Sequence, residues 1–251
     1  MITKHPSFRF PKRQSVKLWR YMDLSKFIHL LQSQSLYFAR ADQLGDPFEG
    51  SSPRAQAALS NQSPTDDSTL SEEDLRFRRV FSTFRAENVK NAFVSCWHES
   101  DHESSAMWRL YSQSTDAVAI QTTFEKLCAA LPEYVFMGEV QYIDYEKAVI
   151  DDWNALSFLT RKRISFEHGR EVRALIWSID GRIRDKKADD GRLEIGELGA
   201  EIKINLDAFV EKIFVSPSAP SWFAAVVTNV VKKYGLDAPV EYSTLAASPL
   251  W

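Results

Sequence analysis

Two cysteines in 251 residues, Cys96 and Cys128, cannot build a disulfide framework, so the chain must be held by its core. Long apolar runs are missing as well. No stretch reaches the roughly 20 residues of a membrane-crossing helix and no secretory h-region is seen, so a cytoplasmic protein is expected. Glycine is sparse, nine in all, and none is gathered into a phosphate-cradling loop. An excess of positive charge is lacking too: a formal net charge of -3 offers phosphate backbones no general attraction, and nucleic-acid binding would need a local basic patch. The basic stretch Lys4 to Arg13, with two prolines, reads instead as a flexible, solvated arm over residues 1–14.

What remains is ordinary for a soluble globular chain, and its length allows a core without staples, so residues 15–251 are read as one domain. Val16 to Met22 alternates like a strand, with Arg20 interrupting the apolar face of Val16, Leu18 and Met22. A buried arginine needs an anion, which predicts a carboxylate or a ligand phosphate beside it, unless Arg20 stands at a wet strand end. Asp23 can cap a helix from Leu24 to about Gln34. The Asp46-Pro47 step within ARADQLGDPFEG predicts a defined loop, and the Ser-, Pro- and Gln-rich residues 51–69 a mobile excursion. Ser71 and Asp74 open a charged helix to about Arg85. Asp144 to about Phe166 has a helical pattern, and Gly181 to Gly199 reads as loop. Ser221 can cap a helix ending before Gly235. About eight strands and four or five helices, without regular βαβ spacing, predict an α+β fold: a mixed, mainly antiparallel sheet with flanking helices.

Chemistry-bearing side chains crowd between Asn91 and Ile120. Phe93, Ser95 and Trp97 alternate with Val94, Cys96 and His98 as on a strand, and Ser104 and Ser105 can cap a short helix turning Met107, Leu110 and Tyr111 inward. His98 to His102 spells HExxH, the zinc-protease signature. That chemistry needs both histidines on one face of a helix, whereas this motif follows a strand directly and has a turn-forming Ser-Asp in its middle, so no metal is expected. A metal-dependent hydrolase is a minor alternative. Cys96 with His98 lacks an orienting third group for nucleophilic catalysis.

A second constellation joins distant parts: Arg20, Tyr21, Glu49, Trp97, Trp108, Tyr111, Glu171 and Arg173. It supplies cations for a diphosphate, aromatic faces for a base or nicotinamide ring, and a carboxylate able to stabilise the oxocarbenium-like transition state of N-glycosidic cleavage. An ion-pair network of Arg20, Glu171 and Arg173 is the structural alternative, and the tryptophans can equally be core.

The blocks LWRYMD, LYFARADQLGDPFEG, FVSCWHESDHESSAMWRLYS, IQTTFEKL, VQYIDY, SFEHGREVRA and VSPSAPSW resemble, over nearly the whole chain, a large bacterial family described as a domain of unknown function (DUF2971). Their order is in turn similar to ADP-ribosyltransferase-like folds. That resemblance implies Arg20 on the NAD phosphates or ribose, Tyr111 or Trp108 flanking nicotinamide, and Glu171 as the catalytic acid. Gly169 stands where an ExE pattern would put its first Glu, which leaves base, nucleic acid or water open as acceptor. The resemblance implies an NAD-consuming transferase or glycohydrolase, as a toxin or phage-defence effector. A nucleotide-sensing module without chemistry is the alternative.

Overall fold

In this computed structural model the described residues are 5–60, 71–111, 115–150, 154–178, 190–247 and 249. Strand β1 (Lys17–Asp23) leads through α1 (Leu24–Ser33) to β2 (Ser35–Arg40), and α2 (Arg54–Ser60) and α3 (Glu72–Asn88) precede β3 (Ala92–Glu99). Then come α4 (Ser105–Tyr111), β4 (Ala117–Thr123), α5 (Phe124–Ala130), β5 (Val135–Glu139) and β6 (Gln141–Ile143). After them follow α6 (Ala155–Leu159), β7 (Arg161–Arg163), β8 (Glu171–Trp177), β9 (Leu193–Ile195), β10 (Gly199–Lys203), β11 (Lys212–Val215), α7 (Phe223–Lys233) and β12 (Val240–Tyr242).

The fold is α+β in one domain. Ten strands make one mainly antiparallel sheet in the order β12-β11-β4-β1-β3-β2-β10-β9, with β8 and then β5 added at β3 and β6-β7 as a separate parallel pair. Helices cover it because both faces are apolar. On β1, Leu18 and Met22 enter the main core beside Phe27, Leu30 and Leu31 of α1, while Trp19 and Tyr21 pack with Met107, Trp108 and Phe214 on the other side. Among the described residues no helix is long and apolar enough to cross a membrane.

The sheet forks at β3. One edge of β3 pairs along its length with β8, from Ala92–Trp177 to His98–Glu171. The other edge is shared: β2 takes Phe93 and Val94, β1 takes His98 and Glu99, and Ser95 to Trp97 face the notch between them. Because α1 joins β1 to β2, the notch has a strand on either side and a helix across it, and so becomes a cleft.

Several local expectations are corrected. Residues 5–14 are not a solvated arm: Phe8 is buried and stacks on Phe136 at 5.6 Å, and Arg9 forms a β-bridge to Glu139. Burying the ring favours docking, and Gly138 permits it, since a Cβ there would stand 2.7 Å from the Arg9 carbonyl. Within the expected excursion, residues 54–60 are helical. The buried Gln56 amide exchanges two 3.1 Å hydrogen bonds with the backbone of Ile150, while positions 61–69 lie outside the described residues.

The helix expected over 144–166 is reduced to α6, with 151–153 outside the described residues. The basic run Arg161, Lys162 and Arg163 at the end of that pattern is extended, which sends Lys162 and Arg163 in opposite directions, Lys162 to Glu49 and Glu171 and Arg163 to Asp46. In α4 the inward pair is Met107 and Trp108, not Met107, Leu110 and Tyr111: Leu110 and Tyr111 are exposed, and Trp108 packs edge-on against Tyr21 at 4.9 Å. Trp222, rather than Ser221, occupies the N-cap of α7. Positions 181–189 of the expected loop lie outside the described residues, and 193–195 form β9.

Candidate functional site

The fork holds a cavity of about 1010 Å³, lined from β1 by Arg20 and Tyr21, from α1 by Lys26 and His29, from β3 by Cys96, Trp97 and His98, and by Tyr111, Lys162, Phe166 and Glu171. Five residues of the sequence-derived constellation therefore meet there: Arg20, Tyr21, Trp97, Tyr111 and Glu171. Glu49, Trp108 and Arg173 stand behind the wall. Trp108 is buried with its Nε1 donating to Glu103, while Glu49 and Arg173 are buried together.

Arg20 bridges the notch. Its Nη1 donates to Ser95 Oγ of β3 at 3.1 Å, its Nη2 to the Tyr37 carbonyl of β2 at 3.0 Å, and its guanidinium lies 5.7 Å from the Trp97 ring centroid. No carboxylate pairs with it among the described residues, so the network expected to join Arg20, Glu171 and Arg173 includes the last two alone. Burial without an anion lowers the Arg20 pKa to about 10. A half-buried cation answered by neutral acceptors is a standing demand for an anion.

Trp97 cannot serve as a free stacking face, being 1% exposed with its ring edge-on to Phe209 at 6.2 Å. It is core that gives Arg20 a shelf. Tyr21 is similarly committed: its hydroxyl accepts the Ser104 N–H at 2.9 Å, and burial raises its pKa to about 12. Tyr37 and Tyr111, both exposed, and the partly buried Phe166 are accessible rings of the lining.

The far end carries four charges. Arg173, 1% exposed, donates Nη1 to Glu49 Oε2 at 2.8 Å and Nη2 to Glu49 Oε1 at 2.7 Å, with Nη1 also on the Leu159 carbonyl and Nε on Glu171 Oε1. Lys162 Nζ lies 3.2 Å from Glu171 Oε2 and 3.3 Å from Glu49 Oε1. Two carboxylates and two cations balance, which is what makes their burial tolerable. Burial works against the Glu171 anion, but Arg173 and Lys162 outweigh it and hold the carboxyl at about 2, ionised at neutral pH. The Cys96 thiol beside it is pushed well up by burial and by the Glu171 charge, so it stays protonated and is no nucleophile.

The DPFEG block is the brace of this end. Asp46 accepts the Phe48 N–H at 3.0 Å and holds Arg163 at 2.6 Å, with the Arg163 guanidinium 4.3 Å from the Phe48 ring centroid. Glu49 then reaches Arg173 and Lys162, and Gly50 turns the chain away at φ +69°. Lys162 and Phe166 were missed as site residues: the sequence showed a basic cluster at 161–163 but not the acids it meets. In HExxH, His98 and Glu99 end β3 while Asp101 and His102 lie exposed in a bend. His98 Nδ1 lies 2.7 Å from the Gly169 carbonyl, and burial lowers its pKa. Among the described residues, no group of three or more His, Cys, Asp or Glu side chains is placed to hold a metal. No family model matches the chain, and neither a curated protein nor a solved structure does.

Proposed function

We propose that the forked cleft binds NAD and that the protein cleaves the nicotinamide–ribose bond, as an ADP-ribosyltransferase or NAD glycohydrolase acting in the cytoplasm. The observation that carries this reading is Arg20: a desolvated guanidinium without a carboxylate, in the wall of a cavity whose other end holds an ionised glutamate. A diphosphate answers the first, and a ribosyl group developing positive charge answers the second. The cavity, about 1010 Å³, is at the upper end of the usual range for ligand sites, in keeping with a dinucleotide rather than a single ring. The bacterial family that the motifs resemble, and the role of a toxin or phage-defence effector, belong to the same proposal.

One observation favours a second reading. Glu171 is already compensated by Arg173 and Lys162, which diminishes the field it can lend to a ribosyl cation and suits a nucleotide-sensing module without turnover. Incubation of the purified protein with NAD, following nicotinamide release, separates the two. Release that falls on the order of 10²-fold or more in Glu171→Gln supports the enzyme. Binding of NAD without release supports the sensor, and neither binding nor release removes the nucleotide from the cleft.

A further inference from the structure

The two cations that hold Glu171 differ in what a ligand can reach. Arg173 is 1% exposed and commits its donors to Glu49, Glu171 and the Leu159 carbonyl behind the cavity wall. Lys162 lies in that wall, with Nζ 5.0 Å from the centroid of the Phe166 ring. Its direction is set by its neighbour. Arg163 is tied to Asp46 at 2.6 Å, and successive residues of an extended strand point to opposite sides, so β7 must send Lys162 the other way.

We infer that Lys162 is the positioning residue for Glu171: it holds Oε2 at the cavity wall before the ligand enters, then yields that oxygen to a ribose hydroxyl of the ligand. This rests on reading Glu171 as the carboxylate that faces the reacting sugar. The exchange is inexpensive because Lys162 has a second partner. Its ammonium stands 3.3 Å from Glu49 Oε1 as well as 3.2 Å from Glu171 Oε2, so letting go of one acid does not strand the charge. Arg173 meanwhile keeps Oε1, and the carboxylate stays in place while its other oxygen becomes free to accept. The compensation of Glu171 is on this account a resting state that ligand entry relieves.

The charged and titratable groups around Glu171 are Arg173, Lys162, Glu49, Cys96, Tyr111 and Tyr142, and Lys162 alone among the cations can be removed without opening the Arg173–Glu49 pair. The test is carbon-13 NMR of the glutamate carboxyls between about pH 7 and 3, a window that ends about one unit above the wild-type Glu171 value of about 2, with its resonance assigned by its loss in Glu171→Gln. Wild-type Glu171 should stay ionised throughout. In Lys162→Met and in the closer isostere Lys162→Gln its midpoint should rise by about one unit or more, as loss of an adjacent opposite charge requires, and Lys162→Arg should restore it.

On the same preparations, nicotinamide release should lose roughly tenfold or more in kcat in Lys162→Met, with KM for NAD little changed, and recover in Lys162→Arg. A Glu171 carboxyl that is as fully ionised at about pH 3 in the folded neutral variants as in the wild type overturns the inference, and so does unfolding of both, which would make Lys162 a strut. If the wild type releases no nicotinamide, the NAD-cleavage reading fails by itself, and the NMR titrations still decide whether Lys162 governs Glu171.

Discussion

Glu49 and Arg173, 124 residues apart in sequence, form a two-pronged ion pair with both side chains almost wholly withdrawn from water. Removing one partner of such a pair leaves the other buried and unanswered. Glu49→Ala should therefore cost about 3–5 kcal/mol, read from urea unfolding midpoints. Glu171 and Lys162 do not make up the loss, since Arg173 gives Glu171 a single N–H and Lys162 would lose one of its two acids. A cost below about 1 kcal/mol, typical of an exposed pair, would mean that water reaches this cluster.

The pH dependence follows from Glu171. Its carboxyl titrates at about 2 in the fold, whereas an unfolded glutamate titrates near 4.3. Lowered pKa means that the unfolded chain binds the proton more readily. The stabilisation is complete above about pH 5, fades as the pH drops past the unfolded value, and is gone below the folded one. Melting temperature should accordingly fall more steeply between about pH 5 and 3 in the wild type than in Glu171→Gln. Parallel slopes would refute this assignment.

Gly50 sits at φ +69°, and a Cβ there would stand 2.6 Å from Val89 Cγ2. Gly50→Ala combines a left-handed backbone with a clash, for which a cost of about 1–3 kcal/mol is expected. Because Gly50 follows Glu49 directly, the variant should also weaken nucleotide binding at the Glu171 end. Differential scanning calorimetry with and without NAD checks both effects, and an unchanged melting temperature in the free protein would refute both the backbone strain and the clash with Val89.

Arg20 serves ligand and architecture at once. Arg20→Met removes the anion's partner, and ADP affinity measured by calorimetry should fall about tenfold or more, the usual worth of a charge-assisted hydrogen bond. Raising the salt concentration should weaken wild-type binding and affect the variant much less. Equal affinities in the two proteins would place the diphosphate elsewhere.

Local features were legible in the chain, long-range ones were not. Ser71 and Asp74 cap α3 as their spacing implies, with Asp74 N–H donating to Ser71 Oγ and Ser71 N–H to Asp74 Oδ2, both at 3.1 Å, because every partner lies within one turn. The alternation of Val172, Ala174 and Ile176 against Glu171, Arg173 and Leu175 is likewise a property of one strand, and in β8 the first three enter the main core while Leu175 enters the smaller cluster on the other face. The helical pattern over 144–166 misled because the residues that fix 161–163 in an extended form, Asp46 and Glu49, come from more than a hundred positions earlier. Trp97 and Trp108 carried a signal of aromatic density that a ligand site and a packed core share, and the structure puts both in the core. Arg20 was the better clue. A cation on an apolar strand face has few ways to be satisfied, and its place in the fork is one of them.

The fork itself gives the sheet an uneven seam. Along most strand borders, separating two neighbours means breaking a ladder of backbone bonds, but what spans the notch from β1 is the Arg20 side chain, with one hydrogen bond to the Tyr37 carbonyl of β2 and one to Ser95 of β3. At about 1.5–3 kcal/mol for each charged hydrogen bond, that link is weaker than a ladder and is made of the same groups an anion would claim. An anion drawing Arg20 away from Ser95 and Tyr37 would loosen the border where it binds. The width of the opening would then be set by its occupant, and a guest larger than the resting gap could wedge the strands apart without undoing the ladders on either flank.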